Sequence, residues 1–267
     1  MRRTLPIAAL VAAFLLVLAP SASAQESARI HLIHGIPDTP VDVVAGGEVV
    51  FGDFQFGDTQ DLSGLAGQTL TGLTVNAAGT DTVAIDAGDV TLPSSGNVTI
   101  IAHLTEAGEP TLSTFTNDTS STAAGEGRLT VRHTAAAPAV DVLAGGQPAF
   151  TGLANPNEAS ADLPVGTISA SVVPAGATEP VVIGPADLAI EDGTNLIVYA
   201  VGSLDGGTIQ VLTESITGLG TAPTAVNTGN SPVADAGGAP IGLLAVAGLA
   251  VLALAVPARR LLAVRAR

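Results

Sequence analysis

Four histidines and 24 carboxylates, with no cysteine and no lysine, bound the chemistry open to this chain. Without Cys there is no thiol nucleophile and no disulfide. Without Lys there is neither a Schiff base nor a phosphate-binding P-loop. A serine nucleophile needs a histidine base, an orienting acid and usually a strained G-x-S-x-G elbow. No such elbow occurs, and Ser63 and Ser95 fall in ordinary Gly-flanked turns. Zinc requires three or four converging His, Cys or carboxylate ligands. His31 and His34 lie three apart, on opposite faces if the segment is a strand, and His34 and His133 sit 99 positions apart. Structural histidines that bond turns are the expected role, and no catalytic, cofactor-binding or metal-binding residue is assigned.

The loop acids Asp53, Asp58 and Asp61, and Asp81, Asp86 and Asp89, are oxygen donors of the kind calcium accepts, but neither cluster has the D-x-D-x-D-G spacing. Solvated turn acids are the reading they favour. Sugar stacking has little to work with: there is no Trp, and Tyr199 lies inside an apolar run. Phe51, Phe54 and Phe56 are expected in the core. The rival to a non-catalytic reading is a hydrolase or metal-dependent binding site around His34, Asp38 and Asp42. Pro37-Asp38 become Ala136-Ala137 further along, so such a site would exist in one copy only.

That second copy is the organising feature of the chain. Arg29 to Gly47 (RIHLIHGIPDTPVDVVAGG) reappears as Arg128 to Gly146 (RLTVRHTAAAPAVDVLAGG), with Asp42 matched to Asp141 and Phe51 to Phe150. A period near 100 residues is the size of a small domain rather than a solenoid unit. Short apolar runs such as Val98 to Leu104 and Leu196 to Val201, broken every eight to twelve residues or so by Gly, Pro, Asn and Asp, read as an antiparallel sandwich or barrel. Val41 to Val44, a Gly46-Gly47 turn and a returning strand form a hairpin. In repeat two Pro148 puts the returning strand at a sheet edge. The expectation is all-β: two tandem immunoglobulin-like β-sandwich domains plus one C-terminal transmembrane helix.

The ends add an address. Arg2-Arg3, an apolar run and Ala22-Ser23-Ala24 are the layout of a signal peptide over residues 1–24. Repeat one covers 29–116, a small polar linker that reads as a flexible joint covers 117–127, and repeat two covers 128–216. A Gly/Pro/Thr stalk follows over 218–239, then an apolar segment at 240–258 that approaches membrane-spanning length. A basic tail, 259–267, stays cytoplasmic by the positive-inside tendency. An L-P-x-T-G wall-sorting motif is missing; Ala225 to Gly229 lacks its Leu-Pro. All 24 acids lie between Glu26 and Asp235 against three arginines there, a formal −21. Such a surface repels nucleic acid. The partner is an extracellular protein or cell-wall component, with the membrane engaged through the C-terminal helix.

His34-Gly-Ile-Pro37-Asp38-Thr-Pro40-Val41-Asp42-Val43 with Gly46-Gly47, and the later Val75 to Gly79 and Val173 to Gly176, resemble the bacterial domain of unknown function family 4397, in two tandem copies. Repeat two departs at Ala136-Ala137. The resemblance implies an exported or surface-attached β-domain and no assigned activity. The chain therefore reads as a non-catalytic surface protein that displays its repeats for adhesion or ligand binding, or as an envelope spacer.

Overall fold

The computed structural model describes residues 28–220. The expected signal peptide at 1–24, the expected stalk from 221 onward, the apolar segment at 240–258 and the basic tail lie outside the described residues. Among those described, no helix is long and apolar enough to cross a membrane.

The described chain is all-β. Its first half holds β1 (Arg29–His34), β2 (Val41–Ala45), β3 (Glu48–Phe54), β4 (Thr59–Asp61), β5 (Thr69–Ala77), β6 (Val83–Thr91), β7 (Asn97–Leu104) and β8 (Pro110–Thr116), with a 3-10 turn at Ser63–Leu65. The second half holds β9 (Glu126–His133), β10 (Val140–Ala144), β11 (Gln147–Leu153), β12 (Glu158–Pro164), β13 (Gly166–Pro174), β14 (Ile183–Ile190), β15 (Asn195–Val201) and β16 (Gln210–Ile216). The first half forms sheets ordered β4-β1-β7-β8 and β3-β2-β5-β6; the second forms β12-β9-β15-β16 and β11-β10-β13-β14. Adding eight to each label of the first pair generates the second, so the sequence repeat is also a repeat of topology.

Each pair of sheets closes on its own apolar core. In the first, Ile30, Leu32 and Ile100 from one sheet pack with Val41, Val43 and Val75 from the other. In the second, Leu129, Val131 and Val198 meet Val140, Val142 and Leu153. One feature departs from an immunoglobulin-like sandwich, which splits its antiparallel strands four and three. Here each sheet has four strands, and β1 and β9 run parallel to β7 and β15. The chain changes sheets repeatedly between β1 and β7 and returns in its starting direction.

The Gly hairpins form as their composition requires. Gly46 and Gly47 (φ 61 and 83), like Gly145 and Gly146 (φ 57 and 79), take the two positive φ values of a tight primed turn. β11, which carries Pro148, is indeed an edge strand.

β7 and β15 are buried on both faces, as the central strands of doubly covered sheets are. On β7, Val98, Ile100 and Ala102 enter the sandwich core, while Ile101 on the other face joins a third cluster with Ile33, Phe115, Ile197, Tyr199 and Val201. That cluster lies between the repeats, so one β1-β7-β8 face is packed on one β9-β15-β16 face.

Close approach at the start of β9 is testable. A Cβ on Gly127 would run into the backbone carbonyl of Glu191 and sit 2.9 Å from Ile190 Cγ2. Gly127→Ala is expected to cost about 1–3 kcal/mol through overpacking, read from the urea unfolding midpoint. An unchanged midpoint would show that this contact is not made.

Candidate functional site

The Asp of each Val-Asp-Val element is a staple. Asp42 accepts the Asp53 N–H on Oδ1 and the Gly79 N–H on Oδ2, both at 2.8 Å. Asp141 does the same for Gly152 at 2.7 Å and Gly176 at 2.8 Å. One carboxylate thus ties β2 to the β3 bulge and to the β5–β6 turn, and its counterpart ties β10 to β11 and the β13–β14 turn. The residue at the bulge is left-handed in both repeats, Asp53 at φ 53 and Gly152 at φ 64. The two backbone donors hold the Asp42 carboxyl below the usual carboxylate range.

His34 and His133 perform a second duplicated task. Each ring is buried, and each Nε2 donates to a carbonyl five residues on, Thr39 at 2.6 Å and Pro138 at 2.9 Å. Because the carbonyl can only accept, the proton sits on Nε2. The ring thereby closes the turn into β2 or β10. His34 also stacks on Phe54, ring centroids 5.8 Å apart. Asp38 stands in solvent at φ 57 within that turn. Of the trio His34, Asp38 and Asp42, then, the histidine Nε2 and both Asp42 oxygens are committed to the backbone; His34 Nδ1 is buried without a partner and Asp38 points into solvent.

The other candidates are similarly occupied. His103 is buried, with Nε2 at 2.7 Å from Ser113 Oγ and Nδ1 at 2.9 Å from the Leu104 carbonyl. Asp58 accepts the Gln55 N–H, Asp61 the Ser63 N–H, Asp86 the Gly88 N–H and Asp89 the Gly72 N–H. Asp53 Oδ1 takes the Gln55 side-chain amide. These are turn-forming contacts. No three His, Asp or Glu side chains converge among the described residues. Phe54 lies in the first core, Phe51 packs against it, and Phe56 packs against the cluster between the repeats.

Polar side chains do converge at the junction of the repeats, and apart from His31 and Tyr199 the sequence had singled out none of them. Arg132, buried, donates Nε–H to Glu158 Oε2, one terminal N–H to the Tyr199 hydroxyl and another to Asn117 Oδ1, each at 2.7 Å. Its guanidinium carbon lies 4.3 Å from the Phe115 ring centroid and 5.2 Å from that of Tyr199. The Tyr199 hydroxyl donates to Glu214 Oε2 at 2.9 Å, which also accepts the Thr99 hydroxyl. Glu214 Oε1 pairs with His31 Nδ1 at 2.6 Å. Burial raises the Tyr199 hydroxyl far above its ordinary pKa, so it stays a donor. Repeat one contributes His31, Thr99 and Phe115; repeat two contributes Arg132, Tyr199 and Glu214.

The same network corrects the reading of 117–127 as a flexible joint. Asn117 and Thr122 are buried. The Asn117 amide donates to Asn97 and Thr99, and the Thr122 N–H bonds the Leu219 carbonyl at 2.9 Å. Arg128 grips Asp118, Ser120 and Asp162. The small polar composition is that of a strap threaded between two surfaces, not of a free tether. Arg128 and Arg132, two of only three cations between Glu26 and Asp235 and both within a strand, were the available signal.

The family model described as "Domain of unknown function (DUF4397)" matches residues 28–143. The match runs from β1 through most of β10. No curated protein matches the sequence.

Two predictions follow from these environments. Burial holds His34, His103 and His133 below the ordinary histidine pKa of 6.5. On acidification the unfolded chain therefore takes up protons first. Stability is full above about pH 6.5 and falls as the pH drops toward 5, by at most about 1.4 kcal/mol per histidine per pH unit. Melting temperatures across pH 5–8 measure this, and a flat profile refutes it. Arg132→Ala should cost roughly 3 kcal/mol in urea unfolding, and Arg132→Met clearly less, since Met restores buried volume. Equal losses would mean that the guanidinium bonds, not the packing, dominate.

Proposed function

We propose that this is a non-catalytic exported surface protein. It would hold two joined β-sandwiches outside the cell on a stalk, anchored by a single membrane helix over 240–258, for adhesion or ligand binding or as an envelope spacer. The observation that carries the reading is the buried junction. The two repeats share a core and an arginine-centred network, so the displayed part is one body rather than two beads on a string. Supporting it, the duplicated Asp and His residues bond the backbone in both repeats, which is what folding needs and what a reactive group avoids. The signal-like start, the apolar segment near the end and the −21 charge between them fit export and a solvated outer surface. The partner would be an extracellular protein or a cell-wall component, with two binding copies presented at fixed separation.

Because the chain has no cysteine, its topology can be read with single introduced thiols. Thr178→Cys, exposed in the β13–β14 turn, should react with a membrane-impermeant maleimide on intact cells. Arg265→Cys should react only after lysis. Labelling at position 178 that requires lysis, or labelling at 265 on intact cells, would overturn the orientation.

A further inference from the structure

The two sheets of repeat one do not fill the space between them. A cavity of about 330 Å³ lies inside the sandwich, walled by both sheets, with Leu32, Val43, Phe54 and Ile100 among its lining. Protein interiors normally leave few voids larger than a water molecule, and an aliphatic void stays dry. Phe51, Leu65, Leu70, Val90 and Leu112 pack on this core yet remain only half-buried, as expected of side chains facing an unfilled space.

The lining is apolar except for Asp86, Thr111 and Thr114. All three lie on β6 and β8, the edge strands on the same side of the two sheets. They form the polar edge of the lining. Leu65 belongs to the 3-10 turn between β4 and β5; in repeat two β12 passes to β13 through Val165 alone, so this part of the wall has no counterpart there.

We infer that the sandwich of repeat one is a binding site for an uncharged, largely aliphatic small molecule, such as a neutral alkyl or isoprenoid chain. A void of about 150 Å³ accommodates benzene, so this one accepts roughly a dozen carbons. The polar edge decides the head group. No cation lines it, Asp86 does, and the net field is strongly negative, so a carboxylate or phosphate head is repelled. A neutral hydroxyl head can instead bond the Thr111 or Thr114 hydroxyl.

The test uses the full chain in lipid nanodiscs, free of detergent, titrated with 1-naphthylamine, whose ten carbons fit the cavity, against empty discs. Expected is a saturable one-site fluorescence rise, displaced by decan-1-ol about tenfold better than by decanoate at equal free concentration. Ala87→Leu and Ala45→Leu place new volume in the cavity from β6 and β2, on either side of β5. Each should weaken dye binding about tenfold or more with the melting temperature held or raised, because leucine occupies empty space. Dye binding equal in wild type and both variants, or no signal above empty discs, overturns the site. A melting temperature lowered by both variants overturns the void itself. Displacement by decanoate as good as by decan-1-ol overturns the uncharged ligand class.

Discussion

A guanidinium removed from water sets the terms for this molecule. Arg132 cannot give up its proton, so every face of it must be met by a partner or an aromatic ring. The partners come from the strap between the repeats and from repeat two itself, and the ring of Phe115 comes from repeat one. If the two sandwiches separated, the arginine would keep Glu158 and Tyr199 but lose the lid over them. Tyr199 would keep its link to Glu214, while the bonds from Glu214 to His31 and Thr99 would break. Apolar packing gives this junction its area, and the polar chain gives it one register. Slipping the faces past each other strands buried donors and acceptors, which costs more than displaced methyl groups.

Inside each sandwich the economy is different. One aspartate and one histidine per repeat organise the region around the second strand, and each does so by serving backbone groups that have no strand partner. An Asp can satisfy two N–H groups of separate turns with its two oxygens, and a His can reach a carbonyl across a proline-bearing turn where a regular ladder bond is unavailable. That the same bonds recur at Asp42 and Asp141, and at His34 and His133, is the strongest argument that these residues serve the fold. Asp38, which has no acidic counterpart at Ala137, stands apart from this arrangement in solvent.

Much of the fold was legible because it depends on local chemistry. The Gly46-Gly47 hairpin, the edge position of Pro148, the strand class and the structural role of His34 all follow from turn geometry, missing donors and period-two burial. The junction was not legible, because it depends on which of two buried faces meets what. The runs at Val98 to Leu104 and Leu196 to Val201 announce strands covered on both sides, yet a covering sheet of the same repeat and one of its neighbour leave the same apolar signature. The segment 117–127 misleads for a related reason: small polar residues suit a free tether and an inter-surface strap equally. The parallel pairing of β1 with β7 was equally out of reach, since strand order rests on long-range closure rather than on any residue type. A cavity is a failure of packing at a distance, and the apolar side chains around it look like any other core.

The junction is built from equivalent strands of the two copies: the first, seventh and eighth of one repeat face the first, seventh and eighth of the other. A surface that mates with its own counterpart is consumed in mating. A third repeat appended to this chain would find that face already taken on both neighbours and would have to hang free or dock by some other surface. Head-to-tail stacking, in which each unit leaves a fresh end for the next, is open-ended; this arrangement is self-terminating. A pairing of this kind closes on itself at two copies.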